Sequence, residues 1–192
     1  YEENAHTETP NPVFRQVTNG VGDTKFVAVS AGMNHTLALD ETGCVWSVGY
    51  NAYGPLGYSG GDENYCTHTF QKVTSGIGGV KIVSVAAGGN YTYAIDEDGH
   101  VWSAGVNVYG LLGRPDNYDT ANANPTFTRI TDGLGDTKLV AASVQHSYTA
   151  LLDADGGIWT LGKNDAGQLG REDGFNSDSP TGTTFQLVSR FS

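Results

Sequence analysis

Basic residues are scarce in this 192-residue chain: Lys and Arg total 10 against 21 Asp and Glu, for a formal net charge of −11. Such a surface repels phosphate backbones and anionic head groups, which argues against nucleic acid and membrane surfaces as partners. Long hydrophobic runs are lacking too. No apolar stretch approaches the roughly 20 residues that cross a bilayer as a helix, so no transmembrane helix is expected. The chain opens at Tyr1 without a signal-peptide pattern, and targeting information trimmed upstream would leave no trace here. Cysteine is limited to Cys44 and Cys66, too few for the four ligands of a structural zinc site and unlike a CxxC redox pair. Two readings stand for them: unpaired thiols, which we favour, or a disulfide across the 22-residue separation. Closing such a loop would contribute roughly 3 kcal/mol.

What is abundant is glycine, 27 residues of it, without a collagen-like period. Excess glycine of this kind signals many tight turns and hence many short strands. The source is an internal repeat. "VWSVGYNAYGPLG" (45–57) returns as "VWSAGVNVYGLLG" (101–113) and "IWTLGKNDAGQLG" (158–170). Three full units align, 14–69, 70–126 and 127–184, and a fourth opens with "FQLV" at 185–192. Residues 1–13 resemble 118–126, which precede the third unit, so they read as the tail of a preceding repeat. The chain is expected to be a slice of a longer array.

Each unit reads as strands. "KFVAVSAG", "HTLALD" and "CVWSVG" are short, rich in β-branched residues and bounded by Gly, Asp or Asn. Helical periodicity is missing. An Asp-x-x-Gly hairpin joins two of the strands, with Gly43, Gly99 and Gly156 supplying a positive-φ turn position. Four short antiparallel strands per unit in tandem predict an all-β chain of about three β-propeller blades. With three blades the ring cannot close by itself, so a partial propeller or one completed by other chains is expected.

The pattern V-x-A-G-x-x-H/Y-T … D-x-x-G-x-V-W-S-x-G-x-N-x-x-G-x-L-G resembles the repeat of the regulator of chromosome condensation family. The resemblance runs along nearly the whole chain and implies the seven-bladed propeller of that family. The family includes a nuclear exchange factor for a small GTPase and a secreted bacterial propeller that inhibits β-lactamases. The third unit departs in "AASVQHS", where Ser143 is read at the position of Gly32 and Gly88.

No residue set points to catalysis, to a cofactor or to a metal. His35, Tyr91 and His146, read as equivalent, suit a hydrogen-bonded structural position within each blade better than a site needing convergent acidic partners. The acidic turns "DETG", "DEDG" and "DADG" lack the later Glu of a calcium loop. The glycines of the repeated phrase lack the Gly-Lys-Ser/Thr of a phosphate loop. Trp46, Trp102 and Trp159 are expected to fill the layer between blades. Asn51, Asn107 and Asn164 read as turn residues that tolerate αL and bind local backbone. The sequons at Asn34 and Asn90 fall at strand starts, a poor place for a glycan.

What varies is the insert after each "LG" and the residues beside it. A rigid frame carrying variable loops rich in Tyr, Asp and Asn is the logic of a binding surface. Tyr50, Tyr53 and Tyr109 are the candidate anchors for a protein partner, because Tyr offers contact area at low entropic cost. The expected function is a noncatalytic protein-interaction module, extracellular or at the cell surface, with a cytoplasmic alternative. Self-assembly into a closed or stacked homo-oligomer is the rival reading. Exchange-factor activity on a small GTPase ranks behind both.

Overall fold

In the computed structural model, which describes residues 13–172 and 184–189, the sheets follow the repeat. The first repeat forms β1 (Phe26–Ala31), β2 (His35–Asp40), β3 (Val45–Tyr50) and β4 (Cys66–Lys72). The second forms β5 (Ile82–Ala87), β6 (Tyr91–Asp96), β7 (Val101–Gly105) and β8 (Thr128–Arg129). The third forms β9 (Leu139–Val144), β10 (Tyr148–Asp153), β11 (Ile158–Gly162) and β12 (Gln186–Ser189). Each set is one antiparallel sheet with its strands in chain order. Among the described residues the helical structure is a single 3-10 turn, Val108–Gly110.

The Asp-x-x-Gly turns join the second and third strands of each sheet. Gly43, Gly99 and Gly156 stand at φ +86°, +86° and +83°, backbone that a side chain would strain. First strands of successive sheets run beside one another, β1 with β5 and β5 with β9. They line the inner side of the array, where the equivalent Val27, Val83 and Val140 stay exposed.

The core lies between sheets. Because strand side chains alternate between two faces, every sheet has an outgoing face toward the next repeat and an incoming face toward the previous one. Leu39, Val45, Val73 and Ile77 on the outgoing face of sheet 1 pack against Ile82, Ala94, Ala104 and Phe127 of sheet 2. The second junction repeats this, with Tyr93, Ile95 and Val101 against Leu139, Leu151, Leu161 and Phe185. Each fully buried Leu or Phe there stabilises by about 1.5–3 kcal/mol.

Strand register corrects two sequence alignments. His35 pairs with Gly49, Tyr91 with Gly105 and Tyr148 with Gly162. The third-repeat equivalent of His35 and Tyr91 is therefore Tyr148, and His146 lies two residues earlier, in the β9–β10 turn. Gln145, not Ser143, takes the place of Gly32 and Gly88, while Ser143 takes the place of Ser30. The slip arose because "AASVQHS" offers His146 as a decoy next to a missing glycine.

The role expected for these residues also changes, from bonds within a blade to bonds between blades. His35 Nε2 lies 3.0 Å from Thr92 Oγ1 in sheet 2, and Thr92 Oγ1 donates to the Pro55 carbonyl at 2.7 Å. Since the threonine proton is committed, His35 is the donor and carries its proton on Nε2. Its Nδ1 is buried without a partner, and burial lowers the pKa of the ring to about 4. At the second junction Tyr91 Oη meets the Gln145 and Tyr148 carbonyls at 2.7 and 2.8 Å and Thr149 Oγ1 at 3.2 Å.

Cys44 and Cys66 are both free thiols, so the disulfide alternative does not hold. Cys44 immediately precedes β3, whereas Cys66 begins β4 and pairs with Tyr50 at the far end of β3. About six residues of extended chain separate them, roughly 20 Å at 3.3 Å per residue, far beyond the reach of a disulfide.

Candidate interaction site

Two hydrogen-bonded devices, repeated in each sheet, leave the intervening loops as the place where function can vary. The first closes the Asp-x-x-Gly turn. Asp40 Oδ1 accepts from the backbone N–H of Thr42 at 2.9 Å and of Cys44 at 3.0 Å, and Oδ2 accepts from Trp46 Nε1 at 2.9 Å. Asp96 does the same for Asp98, His100 and Trp102, with the indole at 3.0 Å. Asp153 does it for Asp155, Gly157 and Trp159, with the indole at 2.8 Å. Burial alone would raise the pKa of Asp40, but bonds from Thr42, Trp46 and Cys44 outweigh it and hold the carboxyl down at about 2. The tryptophans thus pack at the sheet faces and also pin the preceding turn through their N–H. That second use is the part sequence reasoning missed.

In the second repeat Asp96, Asp98 and His100 bring three metal-capable atoms within 4.8 Å of one another. Both Asp96 oxygens already receive N–H donors, which is the chemistry of a turn.

The second device is the buried asparagine after the third strand. Asn107 Nδ2 donates to the Arg114 and Asp116 carbonyls at 2.8 and 2.7 Å, and its Oδ1 accepts from the Leu112 N–H at 2.9 Å. Asn51 makes the matching bonds to Tyr58, Gly60 and Leu56. Asn164 bonds Arg171 and Leu169. The expectation of αL backbone fails here: Asn107 has φ −111°, and neither Asn51 nor Asn164 has positive φ. The asparagine is a spool on which the loop is wound, holding loop carbonyls and one amide away from water.

Those loops, 51–65 and 106–127, leave the same end of neighbouring sheets and touch. The Asn124 N–H reaches the Tyr53 carbonyl at 3.3 Å, and a side chain on Gly54 would lie 2.6 Å from Pro125 Cα. Two depressions of about 300 and 440 Å³ share Ala123 and Pro125, one toward Tyr65 and the other toward Asn117. Among the predicted anchors, Tyr50 and Tyr53 are brought together, ring to ring at 6.2 Å. Tyr109 is not part of that pair. It packs half-buried on the core of the second junction, with φ +58°.

The exposed tyrosines of this face are Tyr65 and Tyr118, which the repeat comparison passed over because they fall inside the inserts. Both sit in loops held in left-handed backbone, at Tyr65 (φ +59°), Asn117 (φ +48°) and Asp119 (φ +53°). Local bonds hold these conformations. Asp62 Oδ1 accepts from the Asn64 and Cys66 N–H groups at 2.8 and 2.9 Å. The Tyr65 carbonyl accepts from Asn51 N–H at 2.7 Å. Asn117 Nδ2 donates to Asn124 Oδ1 at 2.9 Å. The third insert lies mostly in 173–183, outside the described residues.

Comparison with known proteins matches this architecture. The regulator of chromosome condensation (RCC1) repeat matches residues 26–54, 82–111 and 42–95. The chain is 35% identical over 144 residues to the human probable E3 ubiquitin-protein ligase HERC3, covering 75% of this chain and 13% of that protein. It is 34% identical to human HERC6 over 88% of this chain and 16% of that protein. The ultraviolet-B receptor UVR8 of Arabidopsis thaliana is 26% identical, over 84% of this chain and 34% of the receptor. The chain therefore spans only a small part of these relatives. Among solved structures, human WBSCR16 superposes with a TM-score of 0.72 at 23% identity, covering 86% of this chain and 40% of its own. Prp20p from Saccharomyces cerevisiae gives 0.68 at 23% identity, over 86% of this chain and 38% of its own. The chain carries regulator of chromosome condensation repeats, matched in its first two units, and all three units fold as consecutive blades of a β-propeller.

Proposed function

We propose that this chain is a noncatalytic protein-interaction module whose partner is read by the joined loops 51–65 and 106–127. The observation that carries the reading is the pair of exposed tyrosines, Tyr65 and Tyr118, on loops that spend strain to present them. Non-glycine residues at positive φ cost about 1–3 kcal/mol each and persist where the surroundings over-determine them. Here the buried Asn51 and Asn107 do so. A pre-ordered aromatic loses little entropy on binding, which favours affinity. The frame beneath is identical in kind from repeat to repeat, while these loops are not. The solved relative Prp20p, described with its binding to Gsp1p and histones, supports protein recognition by propellers of this repeat.

A photo-cross-linking residue at position 65 or 118 is expected to capture a discrete protein from cells that make this chain. The same residue at Val27, on the inner side of the array, is expected to miss it. The Tyr65→Ser/Tyr118→Ser pair should weaken capture at least tenfold from a neighbouring loop position while leaving the unfolding midpoint unchanged. Equal capture by the pair, or capture only from Val27, would overturn the assignment. Extracellular or cell-surface placement belongs to the same proposal and rests on composition alone. Fractionation of those cells tests it, with recovery solely from cytosol as the opposing result.

A further inference from the structure

We propose that the occupant of the joined loops is an extended, Lys/Arg-rich segment of a partner protein, which straddles the Ala123–Pro125 ridge and seats one cationic side chain on each side of it. The inference rests on the reading of loops 51–65 and 106–127 as an interaction site and adds the chemistry of the partner. Charge is the first observation. Asp62, Glu63, Asp116 and Asp119 all stand exposed on these loops. Against them the two loops hold one basic residue, Arg114, which is 6% exposed and turned into the loop frame. Its Nε donates to Ser103 Oγ at 3.2 Å, its Nη2 to the Ser103 carbonyl at 3.4 Å, and its Nη1 to Asp116. The loops therefore offer carboxylates outward and keep their one guanidinium inside, which favours a cationic partner and repels an acidic one.

The opposite end of the sheets has no such bias. There the hairpin-turn carboxylates are met by lysines of the same repeat, Glu41 by Lys25 at 3.1 Å and Glu97 by Lys81 at 2.9 Å. The net charge of −11 is thus balanced by local pairing at those two turns, whereas no Lys lies on either loop. Asp62 is also fixed in place. Its Oδ1 accepts from the Asn64 and Cys66 N–H groups, and its Oδ2 lies 3.0 Å from His68 Nε2. Bonds from Cys66, His68 and Asn64 hold its carboxyl below the usual carboxylate range, so it stands ionised before a partner arrives.

Shape is the second observation. The two depressions of about 300 and 440 Å³ have Ala123 and Pro125 as a common wall. Asp62 and Tyr65 line the first, and Asp116 and Asn117 line the second, next to the exposed Tyr118. Each side of the ridge thus sets a carboxylate near an exposed aromatic ring. That pairing suits a guanidinium or ammonium group, which the carboxylate attracts and the ring face accepts by cation–π contact. An extended chain sends alternate side chains to one face about 7 Å apart, so one short segment serves two sockets divided by a single wall.

Fluorescence anisotropy with the whole chain tests this, the probe being a short labelled peptide of alternating arginine and alanine and its control the matching glutamate–alanine peptide. The arginine peptide is expected to bind at least tenfold more tightly than the glutamate peptide, and to weaken as salt is added. Asp62→Asn/Glu63→Gln/Asp119→Asn keeps the oxygens that accept loop amides and should weaken binding at least tenfold. Glu41→Gln/Glu97→Gln/Asp155→Asn removes the same charge from exposed side chains at the opposite end of the sheets and should weaken it less than twofold. Equal losses from the two sets would mean diffuse attraction to an acidic protein and would overturn the proposal, as would the lack of a preference for arginine. The interaction-site reading fails separately, when cross-linkers at 65 and 118 capture nothing. A captured partner whose contacting segment carries neither Lys nor Arg overturns only the cationic occupant.

Discussion

Replacing His35 by the residue its own second repeat uses, His35→Tyr, should stabilise the chain only in mild acid. His35 is 4% exposed and burial lowers its pKa from 6.5 to about 4. The folded state therefore binds fewer protons than the unfolded state between these values, and stability rises with pH across that window. Its contribution is fully present above pH 6.5 and is lost as pH falls toward 4. A shift of this size corresponds to about 3 kcal/mol in full, most of which is lost between pH 7.5 and pH 4.5. The penalty has a structural source: the second proton must go on Nδ1, which is buried with no acceptor, while Nε2 is already committed to Thr92.

Tyrosine removes the titrating group and keeps the bridge. By analogy with Tyr91, its hydroxyl should reach the Gly88 and Tyr91 carbonyls and Thr92 Oγ1, with Gly32 leaving room for the ring as Gly88 does. The assay is urea unfolding of both proteins at a series of pH values, read as the difference between them, so that other titrating groups cancel. The expected difference is near zero, within about 1 kcal/mol, at pH 7.5 and grows to about 2–3 kcal/mol in favour of the variant at pH 4.5. Parallel curves, with a constant offset, would refute the argument that protonation of His35 opens the first junction.

Three further outcomes follow from the repeated bonds. Trp46→Phe keeps the ring packing but leaves one oxygen of the buried Asp40 without its indole donor, and should cost about 1–3 kcal/mol in urea unfolding. Unchanged stability would remove the turn-pinning role. Asn107→Ala abandons two loop carbonyls and one amide and should cost about 3 kcal/mol or more, with accelerated proteolysis inside 108–124. A cost below about 1 kcal/mol would mean that water replaces the asparagine freely. Both thiols should react with a thiol reagent in denaturant without prior reduction, and detection of none would restore the disulfide.

The fold was legible because the repeat samples one structural problem three times. Gly43, Gly99 and Gly156 announce a positive φ by being invariant within the chain, and the strands lie between such marks. The asparagine was legible as a binder of local backbone but not as a buried one, since burial depends on where the later loop returns. Nor could Tyr65 and Tyr118 be found by aligning the units. They stand in inserts with no counterpart, and their exposure is set by loop bonds such as Asp62 with Cys66. Where the third unit changes a glycine to Gln145, the alignment slid by two residues, because His146 imitated His35. Only strand pairing fixes that register, since pairing depends on the opposite strand and not on residue type.

The His35 case shows what a repeat conceals as well as what it reveals. Within one unit, His35 and Thr36 are neighbours on one strand whose side chains point to opposite faces, so nothing links them. Across the junction, the ring of one repeat meets the threonine of the next, and the pair becomes a single device. His35 and Tyr91 are interchangeable there because each brings a polar atom at the end of a flat ring to the threonine of the next sheet, Thr92 and Thr149. The property that holds neighbouring blades together is thus written half in each.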